Sequence, residues 1–242
     1  MNMRPVAKET SPIPGEYDDY RDAYPDLLAR IGPYCSYCER RIPTNLAVEH
    51  IQPKADELYP ELEGQWDNYL LGCVNCNSTK GKKDVTLEDI FLPDRDNTQY
   101  IFDYTADGKV RVKNHLLENQ KESAERLRVL VGLEKDIRKT YDNNGNIVAT
   151  DRISQRMEVW GIALESKREL ESAPTDGMRR QIERTAAASG FFSVWMQVFV
   201  GDTDMRNRFI QAFQGTATDC FDEQSKTISP RPPNHLSHSG KV

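Results

Sequence analysis

The sequence has no long apolar run. No stretch approaches the roughly 20 residues that cross a hydrocarbon core, so a membrane-spanning helix is not expected. The first residues, MNMRPVAKETSPIPGEYDD, hold no apolar core of the signal-peptide kind. That sets the expectation of a reducing, cytoplasmic compartment. No internal repeat and no low-complexity tract is visible, which argues against a repeat architecture. An excess of positive charge is also missing: 32 Lys and Arg stand against 38 Asp and Glu, a net charge of −6. Neutralising phosphates drives non-specific binding to nucleic acid. A chain of this balance therefore holds nucleic acid weakly, or through a local basic patch, or with a partner that delivers it. The 29% of charged residues fits a globular protein with polar surfaces, and 242 residues suffice for one large or two small domains.

Cysteine is scarce too, with five in the chain, but four of them are concentrated in two Cys-x-x-Cys knuckles, Cys35/Cys38 and Cys73/Cys76. Two residues between thiols let both sulfurs turn to one centre. Four thiolates around Zn²⁺ make a closed tetrahedral site of the structural kind. A pair of disulfides is the competing reading, and a reducing compartment disfavours it. Cys220 stands apart and is expected to be a free thiol.

Between the knuckles, Glu49 and His50 sit on a short apolar run with Leu46, Ala47, Val48 and Ile51. Asn68 follows, then Asn77 directly after the last knuckle, then Lys80, Lys82 and Lys83. A His beside a carboxylate offers a general base next to a metal ligand. A helix is expected over Asn77 to Lys83, with its N–H groups open to phosphate. Each residue also has a plainer reading. Glu49 and His50 could be a hydrogen-bonded core pair, Asn68 a turn residue, Asn77 a helix cap, and the lysines a solvated helix end.

Taken together, Cys-x-x-Cys, Glu49-His50, Asn68 and Cys73-x-x-Cys76-Asn77-x-x-Lys80 resemble the HNH (ββα-metal) endonuclease family over Cys35 to Lys83. The resemblance implies two strands and a helix holding one divalent metal against a scissile phosphate. It implies His50 as the base that activates water, Glu49 and Asn77 as metal ligands, and Asn68 as a brace for the loop that orients His50. Lys80 would touch the phosphate backbone, with Lys82 and Lys83 adding to the basic patch, and the four cysteines would hold structural zinc. Glu49 stands where Asp is more usual in the family and Asn77 where many members have His. A carboxylate and an amide oxygen are hard ligands that suit Mg²⁺ or Mn²⁺.

Elsewhere, residues 1–30 read as an extended segment, then a short helix over Tyr17 to Ile31 broken around Pro25. Tyr17, Tyr20 and Tyr24 are expected to pack on the core of residues 31–92. Over 93–115 a capping loop, Pro93 to Asn97, precedes a hairpin: Gln99 to Tyr104, an Asp107-Gly108 turn and Lys109 to Val112. Asp94 and Asp96 show no continuing ligand pattern. Residues 116–220 read as helical, with helices over Leu116 to Leu130, Glu134 to Tyr141, Ile153 to Leu170 and Gly177 to Ala188. Asn143 to Asn146 is a stop signal, and Phe191 to Phe213 is an apolar stretch expected to be buried. The Ser/Pro/His-rich stretch 221–242 is expected to be disordered, with His235 and His238 lacking neighbours that would make a site. The fold class is thus α+β: a zinc-braced ββα-metal core, a β-hairpin and a mainly helical C-terminal domain that docks a partner.

This layout resembles the nuclease subunit of Septu-type anti-phage systems, including those attached to retrons. That resemblance implies DNA, or else RNA, as substrate. It also implies an ATPase partner of the ABC or structural-maintenance type, with a retron RNA-DNA as a further partner. A stand-alone restriction-type or tRNA-cutting nuclease, and an inactive zinc-ribbon adaptor, are the alternatives.

Overall fold

In the computed structural model, residues 3–54, 58–133, 135, 140–141, 147–149 and 151–242 are described. A 3-10 turn, Tyr20–Ala23, leads into helix α1, Tyr24–Ile31. Asp19 caps the turn by accepting from the Arg21 amide. Pro25 lies in the first turn of α1, where a missing N–H costs no helical bond. The proline therefore opens the second element instead of breaking a single one. Tyr17 stacks on Trp66 at 6.2 Å between ring centres, packing on the core as expected.

Strands β1 (Ala47–His50) and β2 (Tyr69–Gly72) pair antiparallel, with Glu49 opposite Leu70 and His50 opposite Tyr69. Helix α2, Val74–Lys80, follows at once. It begins three residues before the expected Asn77, because Cys73 is its N-cap and the Cys73 thiol accepts from the Cys76 amide. Asn77 is therefore in the second turn. One of the N-terminal amides expected to attract phosphate, that of Cys76, is turned toward sulfur.

Helix α3 (Thr98–Ile101) takes up the start of the expected first hairpin strand, leaving β3 (Phe102–Tyr104) and β4 (Val110–Val112) to pair around the Asp107-Gly108 turn. Gly108 has φ +70°, and a Cβ there would lie 2.5 Å from the Ile153 carbonyl oxygen, so only glycine fits. Helix α4, Glu118–Leu130, follows. Thr140–Tyr141 (β5) pairs with Ile147–Ala149 (β6), so the end of the helix expected over Glu134 to Tyr141 is strand. The rest of that expectation, Lys135 aside, and the Asn143 to Asn146 stop signal lie outside the described residues.

Helices α5 (Arg152–Ser172), α6 (Asp176–Ser189), α7 (Phe192–Val198) and α8 (Thr203–Ala212) complete a helical second half. The architecture is α+β, with three two-stranded sheets among the described residues. Trp195, Phe199 and Phe209 form the aromatic centre of the helical part, with the Phe199 and Phe209 rings 5.2 Å apart. None of its helices is long and apolar enough to cross a membrane, among the described residues. Buried contacts join the two halves. Glu39, beside the first knuckle, accepts from the Ser193 amide at 2.9 Å and from the Arg4 amide at 2.5 Å. Burial pushes its carboxyl up to about 7, against the pull of those donors.

Two expectations are corrected here. The loop from Pro93 to Asn97 does not merely cap the core; every one of its residues is buried. Asp94 pairs with Lys8 at 2.9 Å and Arg95 at 2.6 Å, and Asp96 accepts from the amides of Leu92 and Lys241. The stretch 221–242 is not disordered but packs on that loop. Val242 is 0% exposed, and its carbonyl accepts from the Asn97 and Arg231 amides at 2.8 and 3.1 Å. The stretch gains its order from buried polar bonds rather than from apolar content. His235 and His238 each lie near one carboxylate, Asp67 at 3.9 Å and Glu88 at 3.8 Å, and neither joins a group that could hold a metal among the described residues.

Candidate functional site

The sulfurs of Cys35, Cys38, Cys73 and Cys76 are all buried and lie within 4.8 Å of one another. The sulfurs of Cys38 and Cys73 are 3.7 Å apart. A tetrahedron of Zn–S bonds of about 2.3 Å has edges of about 3.8 Å, whereas a disulfide would bring two sulfurs to about 2.05 Å. All four thiols are free of disulfides, so the competing reading is removed. The chain also turns donors toward sulfur: the Cys73 amide to Cys35 at 3.3 Å and Arg152 to Cys76 at 3.1 Å. Donors aimed at sulfur suit thiolates more than neutral thiols. The cluster could hold zinc. Cys220 lies apart as a buried free thiol.

Beside the cluster, β1 and α2 enclose a cavity of about 180 Å³ lined by Tyr20, Val48, Glu49, His50, Pro53, Lys54, Asn77, Lys80 and Gly81. His50 and Asn77 thus face a common space. Glu49 is 1% exposed. Its Oε2 accepts from the Tyr37 hydroxyl at 2.5 Å. Its Oε1 is ion-paired with Lys80 Nζ at 2.8 Å, the ammonium standing off the usual hydrogen-bond line. Burial pushes the carboxyl up, opposed by Lys80 and Tyr37. The Asn77 amide makes no side-chain hydrogen bond among the described residues. Gly72 provides the room for both groups: a Cβ there would lie 3.0 Å from Glu49 Cβ and 3.6 Å from Asn77 Cβ.

His50 is half-buried, its ring edge-on to Tyr20 at 4.8 Å and Tyr69 at 5.2 Å. Its Nε2 is 3.0 Å from the Glu63 carbonyl oxygen. A carbonyl only accepts, so Nε2 carries the proton and Nδ1 is the basic nitrogen of the neutral ring. Burial lowers the His50 pKa, helped by Lys54 and Lys80 and opposed by Glu63.

Residues 35–83 match the family model described as HNH endonuclease. The chain carries an HNH domain. Septu protein PtuB of Bacillus thuringiensis is 35% identical over 149 residues, covering 54% of this chain and 56% of that protein. The match thus spans little more than half the length of that relative. No solved structure matches the chain.

Within the HNH domain, Asn68 ties two loops together. Its Oδ1 accepts from the Gln52 amide at 2.8 Å, and its Nδ2 donates to the carbonyls of Gln52 at 2.9 Å and Leu62 at 3.3 Å. The placement of Lys80 overturns an expectation. It is 2% exposed, held by Glu49 and by the His50 carbonyl at 2.6 Å, and so is not presented to a phosphate. Lys82 and Lys83 are exposed beyond the end of α2, outside the cavity lining. Two lining residues stand outside the expected site: Tyr20 was expected only to pack on the core, and Lys54 carried no sequence signal. Tyr20 meets the His50 ring, and Lys54 reaches over Tyr20 at 4.0 Å while pairing with Glu63. Two larger cavities, about 800 and 810 Å³, lie elsewhere. Several of their cations are paired: Arg126 with Asp89, Lys121 with Glu118, Lys8 with Asp94 and Arg231 with Asp219.

Proposed function

We propose that the HNH domain is a metal-dependent endonuclease that hydrolyses phosphodiester bonds of DNA. One observation carries this reading. A buried carboxylate oxygen on Glu49 that meets only the Lys80 ammonium, an unpartnered amide on Asn77 and a neutral imidazole on His50 line one cavity. The two oxygen donors fit Mg²⁺ or Mn²⁺. When bound, such a metal supplies positive charge for the phosphorane and the leaving oxygen. His50 takes the proton of the attacking water at Nδ1, while the Glu63 carbonyl holds the other nitrogen. Asn68 keeps that loop in place through Gln52 and Leu62. Lys54, at the cavity, takes the phosphate contact that Lys80 is too buried to make, and Lys82 and Lys83 extend the basic path. Zinc in the four-thiolate cluster holds β1 and β2 against α2.

The biological setting belongs to the same reading: a cytoplasmic effector of anti-phage defence, governed by an ATPase partner and, in one variant, by a retron RNA-DNA. The likeness to Septu protein PtuB supports it, as does the net charge of −6, which leaves DNA capture to another subunit. The test is cleavage of DNA and RNA in Mg²⁺ or Mn²⁺ by the full chain, alone and with a co-purified partner, with and without nucleotide. Metal-dependent DNA cleavage that rises with the partner is expected. Vigorous cleavage by the chain alone would instead favour a stand-alone nuclease, and none under any condition an inert zinc-ribbon adaptor.

A further inference from the structure

Tyr37 lies between the two thiols of the first knuckle, and nothing in the spacing of the cysteines gives it a role. It is 0% exposed. Its hydroxyl is aimed out of the knuckle at Glu49 Oε2, over 2.5 Å. A phenol is a hydrogen-bond donor and the carboxylate an acceptor, so the direction of this bond is fixed. Glu49 needs such a hold. A glutamate has one more rotatable bond than an aspartate, and fixing it costs rotamer entropy. On its other side the carboxylate stem presses on Gly72, where a Cβ would come within 3.0 Å of Glu49 Cβ and 3.1 Å of Cγ. The phenol at the tip and the glycine under the stem together select one rotamer.

We propose that Tyr37 is a positioning residue. Its phenol occupies Oε2, so that Oε1, now paired with the Lys80 ammonium at 2.8 Å, is the oxygen a divalent cation would take in place of that ammonium, and its seat inside the first knuckle makes this placement depend on a filled thiol cluster. The inference rests on the reading of Glu49 as a metal ligand. Groups that orient a ligand typically change metal affinity 10- to 100-fold when removed.

The experiment uses the zinc-loaded full chain, with Mn²⁺ binding followed by electron paramagnetic resonance and zinc measured by elemental analysis. Tyr37→Phe removes the hydroxyl and keeps the ring. It is expected to retain zinc and to raise the Mn²⁺ Kd about 10- to 100-fold, with cleavage recovering as Mn²⁺ is raised. Retained zinc with an unchanged Mn²⁺ Kd overturns the proposal. Should Tyr37→Phe lose zinc, Gly72→Ala tests the same rotamer from outside the knuckle. A weakened Mn²⁺ affinity there supports the proposal, and an unchanged one overturns it. Wild type that takes up no Mn²⁺ overturns the ligand reading itself, before any variant is compared.

Discussion

The thiol cluster and the cavity beside it are both suited to a cation, but they differ in how much bonding capacity the protein has left open. Around the cysteines little is open. The sulfurs are buried, close enough to share one ion, and already approached by backbone amides and by Arg152. In the cavity the opposite holds. Glu49 Oε1 meets only the Lys80 ammonium, Asn77 keeps its amide, and His50 keeps one nitrogen basic. A closed site of soft ligands suits an ion that stays, and an open one of hard ligands suits an ion that must share its coordination with substrate and water. The lesson is that permanence and reactivity are separated by only a few residues of α2, since Cys76 and Asn77 are adjacent.

The most damaging way to test that difference is to open the closed site. Cys73→Ser removes one sulfur and leaves a hydroxyl that still caps α2, so the loss falls on the metal cluster. Metal binding in such clusters is folding free energy, about 10 kcal/mol or more, so zinc content should fall to background and the thermal transition by more than about 10 °C. A Cys73→Ser protein that melts like wild type would remove zinc from the account of this fold. The next largest effect comes from the open site. His50→Ala should reduce cleavage by about 10²- to 10⁴-fold while zinc content and the melting temperature stay near wild type. Equal cleavage by this variant would mean that another group takes the proton.

Asn68→Ala sharpens the comparison more gently, because Asn68 supports the open site without lining its cavity. It would leave the Gln52 amide and carbonyl without their side-chain partner, a loss of about 1–3 kcal/mol in stability. The Ile51 amide still reaches the Asn68 carbonyl at 2.8 Å, so β1 and β2 should persist. Chemical denaturation checks the stability loss, and an unchanged midpoint would show that the loop is held by other bonds.

These two sites differed in how legible they were in the sequence. The thiol cluster could be read directly, because Cys-x-x-Cys is a local geometry that needs no distant partner. His50 and Asn77 could be read as neighbours because β1, β2 and α2 follow one another with little between. Lys80 could not. Beside Lys82 and Lys83 it looks like a solvated helix end, and its burial depends on Glu49 and on the His50 carbonyl, both on another element. Tyr37 occupies an x of Cys-x-x-Cys and carried no signal at all. The stretch 221–242 was misread for a similar reason. Its composition is poor in apolar residues, and its order comes from bonds to Asp96, Asn97 and the carbonyls of Leu87 and Ile90, about 140 to 150 residues away in sequence. Local composition carries no trace of a buried polar bond whose partner is that distant.

The smallest expected effect is on pH dependence, and its sign follows from the packing around His50. Two rings and the cavity wall withdraw the imidazole from water, and Lys54 and Lys80 add positive charge nearby, so its pKa lies below the ordinary 6.5 despite the Glu63 carbonyl. The neutral ring is the active form. Cleavage should therefore be maintained below pH 6.5 and fall only as acid reaches the lowered pKa. The same shift makes acid destabilising, since the unfolded ring takes up a proton at a pH where the folded one does not. Tyr20→Ala lets water reach the ring and should move the acidic limb of kcat/KM back up toward 6.5. A limb that stays in place would mean that the lysines, rather than exclusion of water, hold the ring neutral. Lys54→Met would then be the variant that moves it.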